Sequence, residues 1–326
     1  MTAVLTIYIP TFNRPKQLLR TLEGILPQLN DKIELVISDN CSFPPVQEIL
    51  GAEILQRVRI IRNRHNVGAN ENILRGFEVA RTPWLWTLSD DDLISATAVK
   101  DIFAAIDSFS GDSLIAILKF GDEHHIVPEF TMTSIDQLPD CIGNLIFISS
   151  SVFHVDNCKE AAMVAHQYAY SMVPALMIVL IAVLKKKKAV FMRLMIAKWL
   201  RPAKDHAWSF LGFSNAILTM FEYPFPVQDR KSLYKKIKGI PYSLKRLVFI
   251  DLQHSCKRTP EAQDTRFLIR CIYAKREVLG SFPERLCIGC IRVATSISFI
   301  NMVIYRFLRI IVRDSHAVQY DRTSRG

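Results

Sequence analysis

The chain is most constrained by an alternation between residues 3 and 92. Short apolar runs rich in β-branched residues alternate with segments of helical spacing, and each run ends in a cluster of polar side chains. AVLTIYI at 3–9 is closed by Pro10 and Thr11-Phe12-Asn13-Arg14, and IELVIS at 33–38 by Asp39-Asn40. Val58 to Ile61 leads into Arg62-Asn63-Arg64-His65-Asn66, and Trp84 to Leu88 into Ser89-Asp90-Asp91-Asp92. Runs this short and this apolar suit parallel strands covered on both faces. Between the first two, Leu18, Leu19, Leu22, Ile25 and Leu26 predict a helix over 15–29, and a second helix is expected over Asn72 to Val79. Strand, helix and strand in that order build right-handed βαβ units. A ligand of such an open sheet binds beyond the carboxyl ends of its strands, so topology alone gathers the four polar clusters at one edge. The competing reading of each cluster is an ordinary capped loop.

Beyond residue 93 the pattern loosens. A helix over Ala96 to Phe109, a strand over Ser113 to Phe120 and a strand over Asn144 to Phe153 are expected, with a variable stretch up to Leu138 that holds His124-His125. MVPALMIVLIAVL at 172–184 is too short to span a bilayer and reads as a buried or interfacial helix. It ends in Lys185 to Lys188, a solvated helix end or a contact for anionic lipid.

Charge divides the chain at the same point. Residues 1–184 hold 13 Lys+Arg and 21 Asp+Glu, whereas 185–326 hold 28 and 10, so the overall +10 conceals an acidic half and a strongly basic one. The expected organisation is an α/β domain over 1–184, with its nucleotide-binding part at 1–110 and acceptor part at 111–184, followed by a basic helical region over 185–326. In that region Arg306, Arg309 and Arg313 share one helical face opposite Phe299, Ile300, Val303, Ile304, Phe307 and Ile311, the pattern of a helix lying in a membrane interface. Long aliphatic stretches between the basic residues speak against nucleic acid as the partner. Seven scattered cysteines and opening residues without a basic segment or a cleavage site suit a reducing cytoplasm. Cys287-x-x-Cys290 has metal or redox spacing but no second pair, so it reads as two small residues of an apolar helix.

Three clusters carry chemistry. Carboxylates after a strand as apolar as Trp84-Leu85-Trp86-Thr87-Leu88 suit a hard divalent cation, Mg2+ or Mn2+, which takes one or two carboxylates together with phosphate oxygens. Asp39-Asn40 can accept from a base N–H and donate to a carbonyl or ribose, or form an Asx turn. Asn66-Val67-Gly68 with Asn72 reads as a tight turn whose glycine admits a ligand to the backbone, with Arg64 placed to meet phosphate, or as a loop and helix cap.

Taken together in order, Ile9-Pro10-Thr11-Phe12-Asn13-Arg14, Ile37-Ser38-Asp39-Asn40-Cys41-Ser42, Asn66-Val67-Gly68-Ala69-Asn70-Glu71-Asn72-Ile73-Leu74-Arg75 and Leu88-Ser89-Asp90-Asp91-Asp92 resemble the successive signatures of family 2 glycosyltransferases. The form of the second and third motifs is similar to bacterial enzymes that build O-antigen or capsule repeats, abequosyltransferases among them. The resemblance covers residues 3–110 well and 144–180 weakly. It implies a GT-A fold, a mostly parallel sheet flanked by helices, with a nucleoside-diphosphate sugar held near Pro10, Thr11, Asn13, Arg14 and Asp39 and a metal held by an Asp-x-Asp signature. Here the chain departs from the pattern. Aligned on its last two acids, the signature's first Asp falls on Ser89 and Asp91 is the metal ligand; read as Asp90-x-Asp92, it makes Asp92 the ligand. Inversion at the sugar needs a base for the acceptor hydroxyl, for which Asp156, His166 and the Asp205-His206 pair are candidates. The expected activity is transfer of a sugar onto a lipid-linked or polysaccharide acceptor at the inner face of the cell membrane. The alternative is a non-catalytic nucleotide-sugar-binding or scaffold protein.

Overall fold

The computed structural model describes residues 3–121, 128–139, 142–200 and 219–237. They fall in two compact units, Met1–Asp205 and His206–Gly326. In the first, β1 (Leu5–Thr11), β2 (Ile33–Asp39), β3 (Arg59–Arg62) and β4 (Trp84–Thr87) are all parallel, ordered β3-β2-β1-β4. Between them come α1 (Pro15–Ile25), α2 (Val46–Ile49), α3 (Ala52–Leu55), α4 (Ala69–Leu74) and α5 (Gly76–Val79). Past β4 the chain forms a two-residue strand β5 (Leu93–Ile94), α6 (Ala98–Ser108), β6 (Ile115–Lys119), β7 (Phe130–Met132) and α7 (Ile142–Ile146). It continues through β8 (Ser151–His154), α8 (Val155–Gln167), α9 (Pro174–Leu184), β9 (Lys188–Phe191) and β10 (Ala197–Lys198).

The large sheet runs β3-β2-β1-β4-β8-β6-β9-β7, with β8 antiparallel to both β4 and β6 and β7 antiparallel to β9, while β5 and β10 pair separately. This is the mixed, mostly parallel α/β architecture expected. Strand residues alternate between two cores, because successive side chains leave a strand on opposite sides. Leu5, Ile7, Ile9, Leu35, Ile37 and Trp86 meet Leu18, Leu22 and Ile25 of α1 and Ile102 of α6, whereas Tyr8, Val36 and Leu85 meet Phe77 and Val155 on the other face. On that second face α5 approaches the sheet closely: a Cβ on Gly76 would lie 3.0 Å from the Tyr8 ring.

Three elements differ from expectation. The run from Asn144 to Phe153 is not one strand but α7, a 3-10 turn at Ile148–Ser150 and the four-residue β8. Periodicity cannot separate a short helix from a buried strand, and here the Asn144 side chain leaves the strand path to donate to the Phe120 carbonyl at 3.1 Å. The 72–79 helix is two short helices joined at Arg75. The lysine run does not end the domain's sheet, since Lys188 opens β9, which pairs with β6. Lys185 pairs with Glu160 at 2.8 Å, Lys187 donates to Asn157 Oδ1 at 2.8 Å and Lys188 pairs with Asp112 at 2.6 Å.

The apolar helix α9 is buried from Pro174 to Val183, which is what a helix hydrophobic on all sides requires. Among the described residues no helix is long and apolar enough to cross a membrane. In the second unit the described part is a 3-10 turn at Met220–Glu222 and α10 (Val227–Ile237). The basic helix expected over 281–313, the Cys287-Cys290 pair and His124-His125 lie outside the described residues.

Candidate active site

The register of the parallel strands lines up Thr11, Asp39 and Arg62 at the carboxyl edge, and Leu88 N–H donates to the carbonyl of Tyr8, three residues before Thr11, so β4 delivers the acidic turn to the same edge. Thr11 Oγ1 donates to Asp90 Oδ2 at 2.6 Å. Arg14, at the start of α1, reaches Asp91 Oδ2 at 2.9 Å and Asp90 Oδ1 at 3.3 Å. From the next turns of α1, Arg20 donates to the Asp91 carbonyl at 2.8 Å and Thr21 to the Asp90 carbonyl at 2.9 Å. Ser89 Oγ donates to Asp91 Oδ1 at 2.6 Å, and Ser149 Oγ to Asp92 Oδ2 at 2.5 Å. Burial raises the Asp90 carboxyl to about 6 against the opposing Thr11 hydroxyl, and raises Asp92 to about 7 against Ser149; the Asp91 charge pushes both the same way. Of the three adjacent acids, Asp91 alone is only partly buried.

The second polar cluster is closed on itself. Asn40 Nδ2 donates to Asn66 Oδ1 at 2.8 Å and to the Gly68 carbonyl at 3.2 Å, while its Oδ1 accepts from Asn63 Nδ2 at 2.9 Å and Val67 N at 3.0 Å. Asn72, 2% exposed, accepts from Ser38 Oγ at 2.7 Å and Asn63 Nδ2 at 3.1 Å and donates to the Ser38 carbonyl at 3.2 Å. Arg75 donates to Asn63, and Tyr8 to the Asn72 carbonyl at 2.7 Å. Gly68, at φ +93°, makes the turn that starts α4. Asp39 is likewise engaged: Ser42 N at 2.7 Å, Val46 N at 3.2 Å and the Arg62 guanidinium all bind its carboxylate. These bonds fold the 40–46 loop over the strand ends, where Phe43 N–H donates to Asn13 Oδ1 at 2.8 Å. Thr11, Asn13, Arg14, Ser42, Phe43 and Pro44 line a small pocket there.

The fold therefore gathers Pro10, Thr11, Asn13, Arg14, Asp39, Arg64, Asn66, Gly68, Asn72, Asp90, Asp91 and Asp92 at one edge, with Arg64 exposed. Within that group, Asn72 and Asn66 face other protein groups through their amides, so they position the loop. The candidate bases are not brought there as a set. Asp156 is exposed in the first turn of α8, beside the opposite end of β4: His154 pairs with Trp84, and Val155 N–H donates to the Pro83 carbonyl. An antiparallel β8 carries the chain away from the acidic turn, so Asp156 stands at the opposite end of the sheet. His166 is held between helices, its Nδ1 2.8 Å from Glu71 and its Nε2 3.7 Å from Glu78, a clamp of α8 onto α4 and α5. Asp205 and His206 lie outside the described residues. Sequence reasoning missed Ser149, Arg20 and Thr21. The α1 pair had a signal, Thr21 standing two helical turns after Arg14; Ser149, 57 residues from Asp92, had none.

The donor set decides whether this turn suits a divalent cation. Asp91 offers a carboxylate 19% exposed, and Asp92 Oδ1 is buried without a hydrogen-bond partner. Among the described residues no three His, Cys, Asp or Glu side chains are grouped to enclose an ion. The residues therefore fit a cation completed by phosphate oxygens and not an all-protein cage.

A sheet with a desolvated acidic turn and a basic side chain at its carboxyl edge has the layout in which open α/β proteins hold their ligands. Residues 6–128 match the family model described as glycosyl transferase family 2. It is 25% identical over 117 residues to the glycosyltransferase GlyG of Streptococcus pneumoniae, 35% of this chain and 39% of that protein. It is 29% identical over 104 residues to an uncharacterised glycosyltransferase of Haemophilus influenzae, 32% of this chain and 35% of that protein. The matched stretch is thus well under half of each relative's length. Among solved structures, S. aureus TarS 1–349 in complex with UDP superposes with a TM-score of 0.61 at 14% identity, covering 96% of this chain and 94% of that one, which shows a shared fold.

Proposed function

We propose that this protein transfers a sugar from a nucleoside-diphosphate donor to a lipid-linked or polysaccharide acceptor during assembly of a bacterial surface glycan. The observation that carries the reading is the acidic turn packed against Thr11 and Arg14 at the carboxyl edge of β1 and β4. Donor binding falls to residues 1–110. Thr11, Asn13 and Arg14 face the pocket under the 40–46 loop, where the donor's diphosphate would meet the Arg14 guanidinium. Asp91, with Asp92 Oδ1 behind it, would hold Mg2+ or Mn2+ together with that diphosphate. Such a cation neutralises the charge that builds on the leaving diphosphate. The acceptor hydroxyl attacks the anomeric carbon as the bond to the diphosphate oxygen breaks, and a base takes the hydroxyl's proton. With Asp156 at the wrong edge, Asp205 is the remaining carboxylate proposed for that proton. The basic second half would hold the enzyme at the inner membrane face, near the head groups that carry its acceptor.

Thermal shift against UDP-, GDP-, CDP- and dTDP-sugars, with and without Mn2+, tests the donor reading. One nucleotide class should stabilise the wild type in a Mn2+-dependent way, and Asp91→Ala should abolish that dependence. If none of the four stabilises folded protein, the chain is no sugar transferase of this kind, and the non-catalytic scaffold reading takes its place.

A further inference from the structure

The turn after α7 and the first residue of β8 supply three consecutive serines, all fully buried: Ser149, Ser150 and Ser151. Fully buried hydroxyls next to charged groups need a reason, because each must be satisfied within the protein. Ser149 closes the acidic turn from beneath. Its hydroxyl donates to Asp92 Oδ2 at 2.5 Å and accepts from the Ser89 backbone N–H at 2.9 Å, so one oxygen ties both ends of the turn. Its carbonyl accepts from Trp86 Nε1 at 2.8 Å, which locks the segment to β4. The other two serines bind a lysine. Lys119, fully buried at the end of β6, donates from Nζ to Ser150 Oγ at 2.6 Å, Ser151 Oγ at 2.9 Å and the Phe147 carbonyl at 2.9 Å. A buried ammonium with three oxygens around it fixes the segment far more rigidly than apolar packing would, since any shift breaks charge-assisted hydrogen bonds.

We infer that Ser149 is a positioning residue for the donor site, anchored by Lys119, which sets the shape of the Ser89–Asp92 turn and so the presentation of Asp91. The inference rests on the donor-site reading above. A group that orients a metal-binding carboxylate tunes affinity without touching the ligand. Removing the Ser149 hydroxyl frees Asp92 and the Ser89 N–H together, so the turn relaxes while the pocket under the 40–46 loop, built by other elements, keeps its form.

The test uses the full chain and whichever of UDP, GDP, CDP and dTDP binds the wild type. Titration calorimetry with and without Mn2+ is run on the wild type, Ser149→Ala, the near-isosteric Ser149→Cys and Ser150→Ala, beside their melting temperatures. Ser149→Ala is expected to weaken nucleotide binding in Mn2+ about 10- to 100-fold, while metal-free binding moves by less than about twofold. Ser150→Ala removes an equally buried hydroxyl from Lys119 but none from the turn. It should lower the melting temperature without changing the Mn2+ effect. Ser149→Cys, a weak donor, guards against failure of the Ala variant to fold and should lose the Mn2+ effect in the same direction. Wild-type-like Mn2+ enhancement in folded Ser149 variants, or equal loss in Ser150→Ala, would overturn the inference and leave the donor site standing. A wild type that binds none of the four nucleotides would overturn both.

Discussion

Two clusters lie side by side at the carboxyl edge of the sheet, both built from short polar side chains after apolar strands, and they differ in how completely they satisfy themselves. In the asparagine cluster the side chains of Asn40, Asn63 and Asn72 bond to other protein groups and Asn66 accepts through its Oδ1, which together shape the Gly68 turn. In the acidic turn, charges of one sign are packed together against burial, with a partly exposed carboxylate at Asp91 and an unpartnered oxygen on Asp92. A saturated polar cluster is scaffold; one left electrostatically uncomfortable is where a cationic or phosphate-bearing ligand gains most.

The comparison breaks first at Asp91. Replacing it with Ala should cut sugar transfer by about 100-fold or more, equivalent to about 3 kcal/mol, while the unliganded melting point barely moves. Steady-state turnover beside a melting curve decides this.

A second test concerns the discomfort itself. With its folded-state carboxyl raised to about 7 from an ordinary value near 3.8, Asp92 binds a proton more readily in the folded chain. Its contribution to stability is therefore fully present below about pH 4 and is lost as pH rises through about 7. Asp92→Asn should flatten that decline, worth on the order of a few kcal/mol between pH 5 and 8, in urea titrations across the range. An unchanged pH slope would show that Asp92 is not the desolvated acid.

The asparagine cluster should behave in the opposite way. Asn72→Ala takes one buried partner each from Ser38 and Asn63 and should cost about 2–3 kcal/mol of stability, measured by denaturant unfolding, with donor affinity following stability and not metal. Smallest is Arg64→Ala, at an exposed position beside that cluster: donor binding should weaken by about threefold at low salt and less at high salt, as screening weakens a surface charge.

Much of this edge was legible without coordinates. Strand ends are punctuated by Pro10, Asp39-Asn40 and the acidic turn, and parallel topology has only one edge to which it can bring them. What could not be read was the direction each side chain takes. Asn72 and Asp91 are both polar residues following apolar strands, yet Tyr8, Ser38 and Asn63 enclose the first, while Asp91 keeps a partly exposed carboxylate. Asp156 read as one of the candidate bases; α7 and the serine turn shorten the strand expected over 144–153 to four residues, and its antiparallel run carries Asp156 to the far edge. The lysines at 185–188 read as a solvated helix end or a lipid contact; Lys185 does close α9, and no sequence signal marked Lys188 as the start of β9.

By itself the sequence determined the α/β class, the four parallel strands and the edge at which a ligand must bind, because alternation of apolar runs and helical spacing are local properties of the chain. Only the tertiary structure decided which acids are buried, that the asparagines saturate one another, and that Ser149 and Lys119 stand beneath the acidic turn. Those facts depend on groups from 9 to 79 residues apart meeting in a low-dielectric interior, where a single hydroxyl or ammonium settles what its neighbours can bind.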